Sequence, residues 1–171
     1  MSEVAVPLAG PLPMVAVIGI GNPLLGDDGV GVEVIKEMER LALPKHIRLY
    51  DGGVGGFSLL GLMEGHREAI FVDALEMGLK PGSIRQLDME KLKALKPQLR
   101  YSLHEVSLKE CLPLLQLLDN PVKISVIGIQ PKTVSPGLGL SPEVRDSIPY
   151  VIKTVLKVLG VKDAENPYSG R

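Results

Sequence analysis

Continuous apolar runs alternate along this chain with amphipathic stretches at helical spacing, and the alternation predicts an α/β fold on a parallel sheet. Met14 to Gly19 holds no polar side chain, which suits a strand covered on both faces. After a glycine-rich turn, Val30, Val32, Val34, Ile35 and Met38 approximate one helical stripe, with Glu33, Lys36, Glu37 and Arg40 elsewhere. This predicts a helix from about 30 to 41, stopped at Leu43-Pro44. Ile47 to Tyr50 forms a second strand, and Asp51-Gly-Gly-Val-Gly-Gly56 a second glycine-rich turn. A short helix over 57–63 and a third strand over 69–72 follow, with Asp73 directly after.

The second half departs from this alternation. The nine residues from Ala74 to Gly82 include Pro81-Gly82. A parallel crossover needs a dozen or more, so the next strand, 83–87, is expected to run antiparallel. A short helix over 89–95 returns toward the opposite edge, and 97–102 is loop. A longer helix over 105–118 is kinked at Pro113. A fifth strand spans 122–129, then a Pro/Gly loop over 130–140. Ser141 N-caps the last helix, with Pro142 at its first position, and the helix ends near Leu159. The pattern predicts a three-layer α/β fold: a mostly parallel, five-stranded twisted sheet with one antiparallel strand and helices on both faces. We expect one domain over 1–171, with 1–13 and 161–171 poorly ordered.

Composition narrows the function. The net charge is −1 and six residues are aromatic; without a basic, aromatic-interleaved stripe, nucleic-acid binding is disfavoured. A single cysteine, Cys111, excludes a disulfide framework or a cysteine-rich metal cluster. The proline-broken N-terminus does not read as a signal peptide, and no apolar run is long enough to span a membrane. The expectation is a soluble cytoplasmic protein.

In open α/β sheets, ligands bind beyond the carboxyl ends of the parallel strands. Asn22, Asp27 and Asp28 follow strand one, Asp51 strand two, Asp73 strand three, and Gln130-Pro131 strand five. His46 and His66 precede strands two and three, at the opposite rim, and read as surface or turn residues. If the antiparallel strand descends and the short helix returns, His104 reaches the acidic rim and faces Asp28 and Asp73. A His/Asp/Asp set suits a borderline divalent ion such as nickel, zinc or cobalt better than magnesium, and three ligands leave positions open for substrate or water. The same residues also read as helix caps and turn formers.

Two rival chemistries fit less well. Gly19-Ile-Gly-Asn-Pro-Leu24 lacks the third glycine of a dinucleotide fingerprint, and Asp27-Asp28 would place two negative charges near a pyrophosphate. Cys111 lies seven residues beyond His104 on one helix, roughly 10 Å along the axis. That is too far for a proton relay, so Cys111 reads as a small core residue.

With these residues in view, the chain resembles the maturation endopeptidases of nickel-iron hydrogenases, from about Val15 to Leu159. The segments that carry the resemblance are Gly19-Ile-Gly-Asn-Pro-Leu-Leu-Gly-Asp-Asp-Gly29, Asp51-Gly-Gly53, Val72-Asp-Ala74, Met77-Gly-Leu-Lys-Pro-Gly82, Ser102-Leu-His104 and Gly128-Ile-Gln-Pro131. The resemblance implies an aspartic-type, metal-assisted peptidase that removes a C-terminal extension from the large-subunit precursor once nickel is inserted. It implies that nickel is contributed by the substrate, with zinc or cadmium able to stand in, and is contacted by Asp28, Asp73 and His104. Some members carry Glu where Asp28 stands. The metal would polarise the scissile carbonyl or activate a water, with Asp28, Asp73 or Asp51 assisting. Asn22, Asp51, Gly52 and Gly53 would shape the substrate groove. Gly26 to Gly29 and Gly128 to Pro131 look like the branch serving formate-hydrogenlyase-type enzymes, whereas Asp51 to Leu60 looks like the uptake-hydrogenase branch. A non-cleaving nickel-checkpoint chaperone and a nucleotide-binding enzyme are the competing readings.

Overall fold

A computed structural model describes residues 13–56, 58–94 and 122–161. Five strands form one sheet: β1 (Val15–Gly19), β2 (Ile47–Asp51), β3 (Glu68–Ala74), β4 (Ile84–Asp88) and β5 (Lys123–Ile129). Their spatial order is β2-β1-β3-β5-β4, with β4 alone antiparallel to its neighbour. The short connection ahead of β4 thus turns the chain back, as its length requires.

Four helices of the described residues flank the sheet: α1 (Val30–Met38), α2 (Ser58–Met63), α3 (Met89–Ala94) and α4 (Pro142–Val158). Side chains alternate across a strand, so each strand feeds two cores. Val17, Ile70, Val72, Ile127 and Ile129 pack with Val34, Ile35 and Met38 of α1 and Val151, Ile152 and Val155 of α4. On the other face Ala16, Ile18, Phe71 and Val126 pack with Leu59 and Met63 of α2. The three layers expected from the apolar runs are present.

Local differences have physical causes. Asp73 does not follow β3 but lies inside it, paired in register with Gly128, because β5 continues to Ile129 and offers a partner. A 3-10 turn over Asp27–Gly29 leads into α1, which closes at Met38, short of Leu41. Pro142 occupies the first turn of α4, as expected, but the Ser141 hydroxyl does not cap that helix; it donates to Asp27 instead. The expected loop over 97–102 and helix over 105–118, with His104, Cys111 and Pro113, lie outside the described residues. So do positions 1–12 and 162–171, where most of the expected frayed ends fall. No helix among the described residues is long and apolar enough to cross a membrane.

Close approach of backbone to backbone holds α1 on the sheet. A Cβ on Gly31 would stand 2.2 Å from the Val72 carbonyl oxygen and 2.3 Å from that of Ile20. One on Gly19 would stand 2.2 Å from the Gly31 carbonyl oxygen. Only glycine at both places lets the start of α1 rest directly on the ends of β1 and β3.

Candidate active site

The loops after β1, β2, β3 and β5 converge on the rim where the parallel strands end. Beyond β1, the Ile20 amide donates to the Val72 carbonyl at 2.9 Å, so the end of β1 is bonded to the residue before Asp73. Gly31 sits over the same carbonyl. The turn carrying Asp28, three residues before Gly31, is thereby fixed at the rim where β3 delivers Asp73.

Both carboxylates are withdrawn from solvent, Asp28 at 1% exposure and Asp73 at 3%. Asp28 Oδ2 accepts the Asn22 amide at 2.8 Å. Asp73 alternates with Phe71 along β3, so it projects from the α2 face of the sheet, opposite Gly128. Buried acids are uncommon unless they are paired or coordinate a cation. Both stand on the rim where the parallel strands end, and among the described residues no three His, Cys, Asp or Glu side chains are grouped so as to hold a metal ion.

The expected groove residues cluster here with structural bonds of their own. Asn22 Oδ1 accepts the Leu24 amide at 3.0 Å, closing an Asx turn beneath the Asp-bearing loop. Exposed Asp51 does the same for Gly53, its Oδ1 accepting that amide at 2.8 Å. The Gly52 amide donates to the Gly19 carbonyl, and the Gly53 carbonyl accepts from Gly21, both at 2.8 Å. The β2 loop is thus laced to the β1 loop. Gly21 has φ 142°, and a Cβ there would meet the Asp28 carbonyl oxygen at 1.8 Å. His104 lies outside the described residues.

The two other histidines stand at the far rim. The His46 carbonyl accepts the Val15 amide where β1 begins. The His66 ring meets the Tyr50 ring edge-on at 5.6 Å and bonds the Glu64 carbonyl through Nδ1 at 3.0 Å.

Two buried polar residues have roles the sequence did not assign. Asp27, wholly buried, accepts four hydrogen bonds from Lys132, Thr133 and Ser141. Gln130, 3% exposed, accepts the Met77 and Leu79 amides through Oε1 and donates through Nε2 to Glu76 and to the Pro131 carbonyl. It braces the loop that follows β3. The available signal was only its place after strand five.

Fold and site together define an α/β protein with a candidate ligand site of buried acids at the carboxyl ends of its parallel strands. The profile of the hydrogenase maturation protease family matches residues 32–158. The hydrogenase 2 maturation protease of Escherichia coli K12 is 32% identical over 148 residues, covering 85% of this chain and 90% of that protein. The hydrogenase expression/formation protein HupD of Rhizobium leguminosarum bv. viciae is 30% identical over 152 residues, covering 87% and 75%. Among solved structures, the hydrogenase maturating endopeptidase HybD from E. coli superimposes with a TM-score of 0.76 at 32% identity, covering 86% of this chain and 92% of that one. The chain belongs to the hydrogenase maturation protease family. The resemblance read from the motifs is borne out at that level, and with it a peptidase as the class of activity.

Proposed function

We propose that this protein is an endopeptidase that removes the C-terminal extension of a nickel-loaded [NiFe]-hydrogenase large-subunit precursor. The observation that carries the reading is the pair of buried acids, Asp28 and Asp73, on one rim of a family member's sheet. Nickel arrives as part of the substrate. In this reading Asp28, Asp73 and His104 contact it, and the loaded precursor binds better than the empty one through that difference in contacts. Carboxylates and an imidazole suit nickel, and zinc or cadmium would satisfy the same donors.

Hydrolysis needs a water added across the scissile bond. Its oxygen joins the carbonyl carbon, the C–N bond breaks, and the amine departs with a proton. A rim carboxylate, Asp28 or Asp73, takes the water's proton as general base. The substrate metal polarises the carbonyl or the water. Asn22, Asp51, Gly52 and Gly53 line the path of the extended peptide. The precursor is the macromolecular partner, and we assign the reaction to the cytoplasm.

The test is mass spectrometry of nickel-loaded and nickel-free precursor after incubation with wild type, Asp28→Asn, Asp73→Asn and His104→Ala. Truncation of the loaded precursor by wild type alone is expected. A stable, uncleaved complex with wild type would instead identify a checkpoint chaperone. Cleavage undiminished in all three variants would remove the assigned residues.

A further inference from the structure

Resting on that reading, we propose that Asp27 is a positioning residue: it locks the 131–141 loop onto the 3-10 turn and so fixes Asp28 toward the substrate's metal. As a sequence, Asp27-Asp28 presents two equivalent candidates for the chemistry. Their surroundings separate them.

Asp27 Oδ1 accepts the Ser141 amide at 2.6 Å. Its Oδ2 accepts the Lys132 amide at 2.8 Å, the Thr133 amide at 3.1 Å and the Ser141 hydroxyl at 2.8 Å. An ionised carboxylate offers about four acceptor sites; here Oδ2 takes three donors and Oδ1 one. The donors are 105 to 114 residues away in sequence, so the bonds join two distant loops. Backbone bonds extend the seam: Gly26 donates to the Gly137 carbonyl at 3.0 Å, and Gly137 donates to the Leu24 carbonyl at 2.9 Å. Asp27 donates to the Thr133 carbonyl at 3.2 Å.

This lock needs a carboxylate. Asparagine has one acceptor oxygen, and its amide group would set N–H against N–H on at least one side. The peptide of Asp27 is covalently joined to Asp28, whose Oδ2 is held from the other direction by Asn22. A shift of the turn therefore moves Asp28 relative to β3 and Asp73. Alignment errors of about 1 Å at a reacting centre cost on the order of 100-fold.

A clamp that only stabilised the fold would weaken binding of both precursor forms alike in the folded variant. A positioning residue changes the preference between them. The experiment measures affinity for nickel-loaded and nickel-free precursor, together with cleavage rate, for wild type, Asp27→Asn and Ser141→Ala. Circular dichroism establishes the temperature at which each is folded. For Asp27→Asn the preference for the loaded form is expected to fall about 10-fold or more, with cleavage reduced to match. Ser141→Ala, which removes one donor and keeps the amide, is expected to shift the preference a few-fold in the same direction, and it decides the matter if Asp27→Asn does not fold. Unchanged preference in the folded variants overturns this inference while wild type still prefers the loaded form. A wild type with no preference overturns the nickel reading, and this inference with it.

Discussion

Replacing Gly31 by alanine tests whether the start of α1 rests on the sheet as closely as its geometry indicates. The new Cβ would lie 2.2 Å from the Val72 carbonyl oxygen, 2.3 Å from the Ile20 carbonyl oxygen and 2.8 Å from the Ile20 nitrogen, whereas ordinary contact begins near 3.4 Å. All three atoms are backbone, so no side-chain rotation relieves the clash. The helix must lift by roughly 1 Å, loosening the packing of Val30, Val34, Ile35 and Met38. Overpacking a core costs about 1–3 kcal/mol and sometimes more, and rigid neighbours put this case at the upper end. Alanine's better helix propensity offsets at most about 1 kcal/mol. We expect a net loss of about 2–3 kcal/mol, or a Tm lower by roughly 4–12 °C for a domain of this size. Gly61, in α2, is the control: it is exposed, with nothing within 4 Å of its added Cβ. Gly61→Ala should be neutral or gain up to about 1 kcal/mol. Urea titrations followed by far-UV circular dichroism compare the two at equal m-value. A Gly31→Ala protein as stable as wild type would show that the approach is looser than described and refute the reasoning.

Two further predictions concern the braces around the rim. Gln130→Ala strands the Met77 and Leu79 amides in a half-buried loop. It should cost about 2–3 kcal/mol, with faster hydrogen exchange at those two amides but not in the centre of β1. The Lys132–Glu143 contact of 2.6 Å holds the Glu143 carboxyl below its ordinary 4.5. The folded protein therefore binds that proton more weakly than the unfolded chain does. The contribution to stability is present above about pH 4.5 and lost as pH falls through the lower folded value. Glu143→Gln should remove this part of the acid limb, so the gap between wild type and variant narrows on acidification and in high salt.

Much of the fold was legible because covalent connectivity and side-chain periodicity constrain it directly. Apolar runs located β1, β3 and β5, while β2 and β4 were read from shorter, mixed segments between turns. The brevity of the link from Ala74 to Gly82 required β4 to reverse, and parallel connection placed Asp28, Asp51 and Asp73 on one rim. The motifs around those acids carried the family likeness. Nothing in the helical pattern singled out Gly31, because the need for glycine there comes from two carbonyls at the ends of separate strands. Ser141 read as a cap for its own helix, since local spacing suggests nothing else, yet its hydroxyl crosses to Asp27.

The sequence by itself determined the succession of strands along the chain, the reversal of β4 and the rim on which the acids gather, whereas the spatial order of the strands came from the structure. Tertiary structure alone decided that, of two neighbouring aspartates, Asp27 binds the 131–141 loop while Asp28 is held against the end of β1. Hydrogen bonds between groups more than a hundred residues apart leave no periodic trace in the chain. They form only after the sheet has brought the loops together.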